Sequence, residues 1–226
     1  MAVITISREY GCAGEYVAER ISKKLGYRYV NKEIIEYIAI LTGVPKEVVE
    51  KYDEEMHSNF KAFISKYLDL DIFSDLFAKV EEAEHESWEN SESNLFEEKF
   101  TVDHVMDSEI FQNMVERVIK KLADEDNVII LGRGSQCILR NYKNAYHFRL
   151  YADFEDRAKW VANREQISIM DAKEKIKEID KRKKNFISHY YDEDIDNRML
   201  YHLLINMSKN SIDKVVSLII NYIKDE

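Results

Sequence analysis

The clearest hydrophobic pattern lies at the start of the chain, where an apolar run gives way to glycines and then to helical spacing. Val3-Ile4-Thr5-Ile6-Ser7 is rich in β-branched residues, which predicts a buried strand. Glycines follow at positions 11 and 14, and apolar side chains then recur at helical spacing until Gly26 ends the helix. A strand, a glycine turn and a helix N-terminus together favour a bound anion.

Strand and helix patterns alternate again in the second half of the chain. Short apolar runs predict strands at residues 127–131, 147–151 and 203–206. Helical periodicity predicts helices at residues 100–123, 155–170 and 171–187 and from residue 211, with a polar loop at 189–197. Alternation of this kind predicts an α/β fold, in which helices cover both faces of a parallel sheet.

Residues 45–100 interrupt this alternation with a long stretch of mainly helical periodicity. We interpret the chain as a single domain, residues 1–226, with a helical lobe inserted at 45–100. The aromatic residues of the lobe fit its core or the surface of a homodimer, and the sequence leaves both open: Phe60, Phe63, Tyr67, Phe73 and Phe77.

The composition narrows the classes of function. The formal net charge is −10 and the isoelectric point is near 5.2, which disfavours a nucleic-acid partner. The sequence has no apolar run of membrane-spanning length, so we expect no membrane association. Cys12 and Cys137 have no metal or redox spacing, and the histidines form no ligand pair. These features predict a cytoplasmic protein without a metal site built from its own side chains.

Seven segments match one known family in order and in spacing. They are residues 4–11, 25–33, 128–134, 149–152, 155–157, 179–182 and 205–208. On these segments the chain resembles the cytidylate kinase-like proteins, which are relatives of the nucleoside monophosphate kinases. The resemblance implies a three-layer P-loop kinase-like fold with an acceptor lobe and a mobile lid. It also implies transfer of the ATP γ-phosphoryl group, with Mg²⁺, to a nucleoside monophosphate or another small acceptor.

The resemblance also implies roles for particular residues. Those that would bind the donor phosphates are Arg8, Gly11, Cys12, Ala13, Gly14, Glu15 and Tyr16. Those that would bind the acceptor are Asn31, Lys32 and Arg133, the last of which follows a predicted strand. The lid-like region is residues 155–197, and its catalytic candidates are Arg157, Arg164, Asp180 and Arg182. Positive charge at these places would stabilise the transferring phosphoryl group.

The chain departs from the family at several positions. Gly14 stands where the P-loop lysine is found, and Glu15 replaces the hydroxyl residue that binds Mg²⁺. Asn31 and Leu131 stand where relatives have aspartate. Arg8 lies at the strand end, and our hypothesis is that its guanidinium, as a catalytic group, replaces the missing lysine charge.

Each prediction has a simpler alternative. Arg133 could be a structural arginine, and Arg157 and Arg164 lie on a highly charged helix where surface ion pairs are common. The missing lysine also leaves a second class of function open, namely a catalytically silent nucleotide-binding or regulatory protein on the same fold.

Overall fold

The computed structural model describes residues 2–31 and 104–224, with side chains from residue 112 onward in the second range. The chain forms two compact units, Met1–Asn31 with Glu116–Glu226, and Lys32–Val115. The sheet lies entirely in the first unit. The strands are β1 (Val3–Arg8), β2 (Arg28–Val30), β3 (Val128–Leu131), β4 (Ala145–Tyr151) and β5 (Leu203–Asn206). The helices are α1 (Gly14–Leu25), α2 (His104–Asp124), α3 (Ser135–Ile138), α4 (Phe154–Glu165), α5 (Ile169–Tyr191) and α6 (Ile212–Lys224).

The described strands form one parallel sheet in the order β2-β3-β1-β4-β5. Ile6 of β1 lies opposite Leu131 on one side and Phe148 on the other. Because all the strands run the same way, β1, β3 and β4 end at one edge of the sheet. The predicted α/β fold, a parallel sheet flanked by helices, is therefore confirmed.

One face of the sheet carries the main hydrophobic core. Alternate residues of β1 and β4 point to this face and pack against α1 and α6 because the strand period is two. The fully buried members are Ile4, Ile6, Phe148, Leu150, Val17, Ile21, Val216 and Ile219. Gly26 ends α1 with a left-handed φ of 69° and donates its N–H to the Ser22 carbonyl at 2.8 Å.

The opposite face of the same strands is polar although it is buried. Thr5 Oγ1 lies 2.8 Å from Nδ1 of His147, and Arg149 donates to Ser7 Oγ at 3.1 Å. Burial, helped by the neighbouring His202, lowers the pKa of His147 to about 4. A second cluster covers this face, and its members are Cys137, Ile187, Ile195, Leu200 and Tyr201.

Helices α4 and α5 form a hairpin whose boundaries differ from the sequence prediction. The predicted helix over residues 155–170 is interrupted, since Gln166 adopts a left-handed φ of 56° and ends α4. Ser168 then caps α5 by accepting the N–H of Asp171 at 3.1 Å. At its other end α5 continues to Tyr191, so the first part of the loop predicted at 189–197 is helical.

Several sequence predictions fall outside the described residues. The inserted lobe at 45–100, its possible homodimer surface and Lys32 all lie in the stretch 32–103. They stay predictions. Among the helices of residues 2–31 and 104–224, none combines the length and apolar character needed to cross a membrane.

Truncation of the central core residue gives a first prediction. Phe148 is fully buried, and its ring meets Tyr222 edge-on with centroids 5.9 Å apart. We expect Phe148→Ala to lower the free energy of unfolding by about 3–5 kcal/mol, because it leaves a cavity. Urea denaturation measures the change.

The matched control for this core prediction is Leu218→Ala on α6, because Leu218 is 46% exposed. It should change the free energy of unfolding by less than about 0.5 kcal/mol. Equal effects of the two substitutions would contradict the assignment of Phe148 to the core.

Candidate phosphate-binding site

The β1–α1 loop, residues 9–13, turns sharply at the edge where the strands end. Gly11 has a φ of 91° and Ala13 a φ of 55°, both in the left-handed region. A Cβ at Gly11 would lie only 2.9 Å from Cγ2 of Val161 on α4. Position 11 therefore requires glycine, both for its backbone conformation and for the close approach of α4.

Helix α1 begins directly after this loop without a side-chain cap. Ala13 is the N-cap residue, and its methyl side chain has no acceptor to offer. The first-turn N–H groups, including those of Gly14 and Tyr16, are thus available to an anion. Glu15 does not fill this role with its carboxylate, because it is exposed and accepts a hydrogen bond from Asn31 Nδ2 at 3.4 Å.

Two partly desolvated guanidinium groups lie near this helix terminus. Burial lowers the pKa of Arg8 despite the opposing attraction of Glu15 and Tyr29. Burial, together with repulsion from Arg8, lowers the pKa of Arg133 to about 10. Within the described part of the chain, no hydrogen bond or ion pair engages the Arg8 guanidinium. Two such charges side by side favour binding of a polyanion such as a phosphate group.

The path of Arg8 explains why position 14 is a glycine. A Cβ at Gly14 would lie 3.0 Å from Cγ and 3.3 Å from Cδ of Arg8. A Cβ at Gly132, just after β3, would collide with the guanidinium itself. The side chain of Arg8 therefore passes over the start of α1 and reaches the end of β3. It occupies space that a side chain at position 14 would need.

The α4–α5 hairpin holds the β1–α1 loop through Tyr10. The backbone N–H of Tyr10 donates to Asp180 Oδ1 at 2.8 Å, and Arg157 donates to the Tyr10 carbonyl at 3.2 Å. Arg157 and Asp180 also bind each other at 2.5 Å, and Nε of Arg157 lies 3.3 Å from Glu9. The Tyr10 hydroxyl donates to Glu165 Oε1 at 2.5 Å. Both backbone polar groups and the hydroxyl of this residue thus bind the hairpin.

Glu165 is the centre of a small charged network at the tip of the hairpin. Lys175 and Arg164 each donate to its carboxylate at 2.6 Å, in addition to Tyr10. Burial disfavours the charged carboxylate, but the hydrogen bonds from Lys175, Tyr10 and Arg164 outweigh it and lower the pKa of Glu165 to about 2. The carboxylate is therefore charged throughout the neutral range and anchors the Tyr10 ring.

The structure brings only some of the predicted site residues together. Those that line or shape the same place are Arg8, Gly11, Ala13, Gly14, Arg133, Arg157 and Asp180. Tyr16 is 54% exposed, and Cys12 packs into the main core, where burial raises the pKa of its thiol to about 12. Arg164 is placed over the Tyr10 ring at 5.4 Å. Arg182 lies apart, since its side chain is 52% exposed and faces Glu178 at 3.7 Å.

Sequence reasoning missed Tyr10, Glu165 and Lys183. The ammonium of Lys183 donates to the backbone carbonyl of Arg8 at 3.1 Å. Its position was readable from helical phase, because Ile176, Asp180, Lys183 and Ile187 follow one another at steps of four, three and four on α5. Two of these residues are fully buried isoleucines, which marks the inner face of the helix.

A cavity of about 400 Å³ lies at the ends of β4 and β5. Its lining is polar apart from a tyrosine ring and one alanine: Tyr151, Ala152, Asp153, Asp156, Asn206, Ser208 and Lys209. The N–H of Ala152 in this lining donates to Glu9 of the β1–α1 loop at 3.0 Å.

The residues fit a phosphate chain better than a free metal ion. Over residues 2–31 and 104–224, no group of three or more histidine, cysteine, aspartate or glutamate side chains could hold a metal. The uncapped helix and the Arg8–Arg133 pair instead suit phosphate oxygens. A Mg²⁺ ion fits this place only when phosphates supply most of its ligands, with Glu15 the nearest carboxylate to the start of α1.

A glycine loop between the central strand of a parallel sheet and the start of a helix is typical of α/β proteins that bind phosphate groups. The chain belongs to the cytidylate kinase-like family, whose model matches residues 3–209. No curated protein matches the chain significantly.

Three solved structures are similar to this chain. An uncharacterized protein from Eubacterium ventriosum ATCC 27560 is 19% identical, covers 100% of both chains and has a TM-score of 0.65. Shikimate kinase from Bacteroides thetaiotaomicron is 11% identical over 99% of this chain and 98% of its own, with a TM-score of 0.48. Shikimate kinase from Acinetobacter baumannii is 12% identical over 100% of this chain and 94% of its own, also with a TM-score of 0.48.

The charged network of Glu165 gives a pH-dependent prediction. The pKa of Glu165 is about 2 in the folded protein, below its ordinary value, so its contribution is complete at neutral pH and is lost as pH falls toward 2. We expect Glu165→Gln to lower the free energy of unfolding by about 1–3 kcal/mol at pH 7. The difference from wild type should shrink as the pH falls from about 5 to 3.

Urea denaturation at pH 7 and pH 3 measures this effect of Glu165. Glu178→Gln is the matched control, because the Glu178 side chain is 70% exposed and meets Arg182 only at 3.7 Å. If the difference in the free energy of unfolding between Glu165→Gln and wild type stays constant with pH, the charge of Glu165 contributes nothing to stability.

Proposed function

We propose that the protein transfers the γ-phosphoryl group of ATP to a nucleoside monophosphate, with CMP as the first candidate. The observation that carries this proposal is the pair of partly desolvated guanidiniums, Arg8 and Arg133, beside the uncapped start of α1. Membership of the cytidylate kinase-like family supports the same class of reaction. Phosphoryl transfer depends chiefly on alignment and on positive charge around the transferring oxygens.

The donor phosphates would lie against the β1–α1 loop and the first turn of α1. Backbone N–H groups there would bind phosphate oxygens. Arg8 would supply the positive charge of the P-loop lysine, whose position Gly14 occupies. The base would enter the cavity at the ends of β4 and β5. When bound together with the nucleotide, Mg²⁺ would neutralise part of the charge of the donor phosphates.

The acceptor phosphate would bind Arg133 at the end of β3, and Asn31, which follows the adjacent strand β2, would contact the acceptor. Lys32 stays a predicted acceptor ligand. An oxygen of the acceptor phosphate would attack the γ-phosphorus of ATP, and the bond between that phosphorus and the β–γ bridging oxygen would break. The electron pair of this bond leaves with ADP, and the acceptor becomes a diphosphate. Arg8 and Arg133 would stabilise the charge that spreads over the transferring oxygens.

The α4–α5 hairpin would act as the lid within the single domain that we propose for residues 1–226, and the inserted lobe at 45–100 stays a prediction. Arg157 and Asp180 would position the loop through Tyr10 rather than touch the transferring group. Arg164, on the ring of Tyr10, would follow the hairpin as it closes. Closure of such an element excludes water and protects the phosphoryl group from hydrolysis.

One observation favours a second candidate, a nucleotide-binding protein that catalyses no transfer. The Asp180 carboxylate accepts the N–H of Tyr10 within the β1–α1 loop, where a phosphate oxygen would also bind. Together with Gly14 in the lysine place, this arrangement suits a site that binds nucleotide weakly or without turnover. Mg²⁺-dependent turnover separates the two candidates.

The proposal predicts binding that depends on Arg8. Calorimetry should detect ATP binding by the wild type, tighter with Mg²⁺, and tighter still with the correct nucleoside monophosphate present. Arg8→Gln should weaken ATP binding by about 10- to 150-fold, because hydrogen bonds to a charged group contribute about 1.5–3 kcal/mol. Turnover with a panel of monophosphates then identifies the acceptor.

Arg20→Gln is the control for Arg8→Gln, since Arg20 is an exposed arginine that pairs with Asp213. It should leave ATP affinity within about twofold of wild type. ATP binding without turnover for any monophosphate would support the second candidate instead. If neither ATP nor a monophosphate binds, the phosphotransferase proposal is wrong.

A further inference from the structure

Four consecutive basic residues lie on α5, and only one of them turns inward. Lys181 is exposed, and the side chains of Arg182 and Lys184 are 52% and 53% exposed. Lys183 is 27% exposed and lies on the same face as the buried residues Ile176 and Ile187. Of this basic run, therefore, one residue points to the site while its neighbours meet solvent.

The Lys183 ammonium is held where β1 passes into the β1–α1 loop. Nζ donates to the carbonyl of Arg8 at 3.1 Å and lies 5.7 Å from the centre of the Tyr10 ring. The nearest carboxylate oxygen is Oδ1 of Asp180 at 3.9 Å, and that oxygen already accepts the N–H of Tyr10. Lys183 thus reaches the loop from outside it, on a different helix.

We propose that Lys183 supplies, from α5, the ammonium that the β1–α1 loop lacks at Gly14, and that it binds the donor phosphates. This inference rests on the proposed function and adds a residue to its donor site. Two side chains, Arg8 on β1 and Lys183 on the hairpin, would then supply the positive charge that a P-loop lysine carries in related proteins.

The charged groups around Lys183 favour the binding of an anion beside it. The groups that face it are Arg8 on β1, Arg149 on β4, Asp180 on its own helix, and Cys12 and Tyr10 in the loop. Burial is the largest influence on its pKa, and repulsion from Arg8 adds to it. Asp180 and Cys12 oppose these effects, and the resulting pKa is about 7. A bound phosphate would restore favourable interactions for the charged ammonium and raise the pKa again.

Proton uptake is the consequence that can be measured. At pH 8 a group with a pKa near 7 is mostly neutral, so an anion that raises the pKa of Lys183 draws a proton from the buffer. Arginine at the same position stays protonated and would bind phosphate without proton uptake. Methionine has similar length but no charge, so it would neither bind phosphate nor take up a proton.

The test is calorimetry of MgATP binding at pH 8 in two buffers with different ionisation enthalpies. The wild type should bind with net proton uptake. Lys183→Met should bind at least tenfold more weakly and lose this uptake. Lys183→Arg should bind within about threefold of wild type but also without the uptake. Lys184→Met, the adjacent exposed lysine, is the matched control and should behave as the wild type does.

The outcomes separate this inference from the proposed function. If the wild type binds and Lys183→Met binds equally tightly, or with the same proton uptake, the role of Lys183 is wrong and the proposed function stands. If the wild type binds no nucleotide, both are wrong. Weak binding by both Lys183→Met and Lys183→Arg, with unchanged thermal unfolding, would also overturn the inference, because arginine should restore the charge.

Discussion

Positive charge that is held partly out of water is the constraint on which the functional end of the molecule depends. Burial lowers the pKa values of Arg8, Arg133 and Lys183, and Arg8 repels the other two. Keeping like charges together in a poorly solvated place costs folding free energy. Such a cost is typical of functional sites.

Tyr10 connects this charge to the part of the molecule that would move. Asp180 and Arg157 bind its backbone, and Glu165 binds its hydroxyl, so the β1–α1 loop and the α4–α5 hairpin share one residue. Movement of the hairpin must therefore change the loop, or else break these bonds. These three hydrogen bonds are 2.5 to 3.2 Å long and part-buried, so the loop and the hairpin are best understood as one mechanical element.

Sequence reasoning predicted the fold because its signals are local and repeated. The run Val3–Arg8, the glycine turn and the following helix are legible from residue type alone. The break at Gln166 was missed, since a non-glycine residue in the left-handed conformation gives no sequence signal. Lys183 was missed because a run of four basic residues hides which one faces inward, and only the phase set by buried neighbours decides it.

The crossing of Arg8 over Gly14 also limits how this chain could have changed in the past. A lysine introduced at position 14 alone would meet Cγ and Cδ of Arg8, which would lie 3.0 and 3.3 Å from the new Cβ. Loss of Arg8 alone would leave Lys183 as the one remaining side chain of the two that we propose to supply the positive charge. A side chain at position 14 would in turn require Arg8 to shift by a few tenths of an ångström, so a change at either position alters what the other can accommodate.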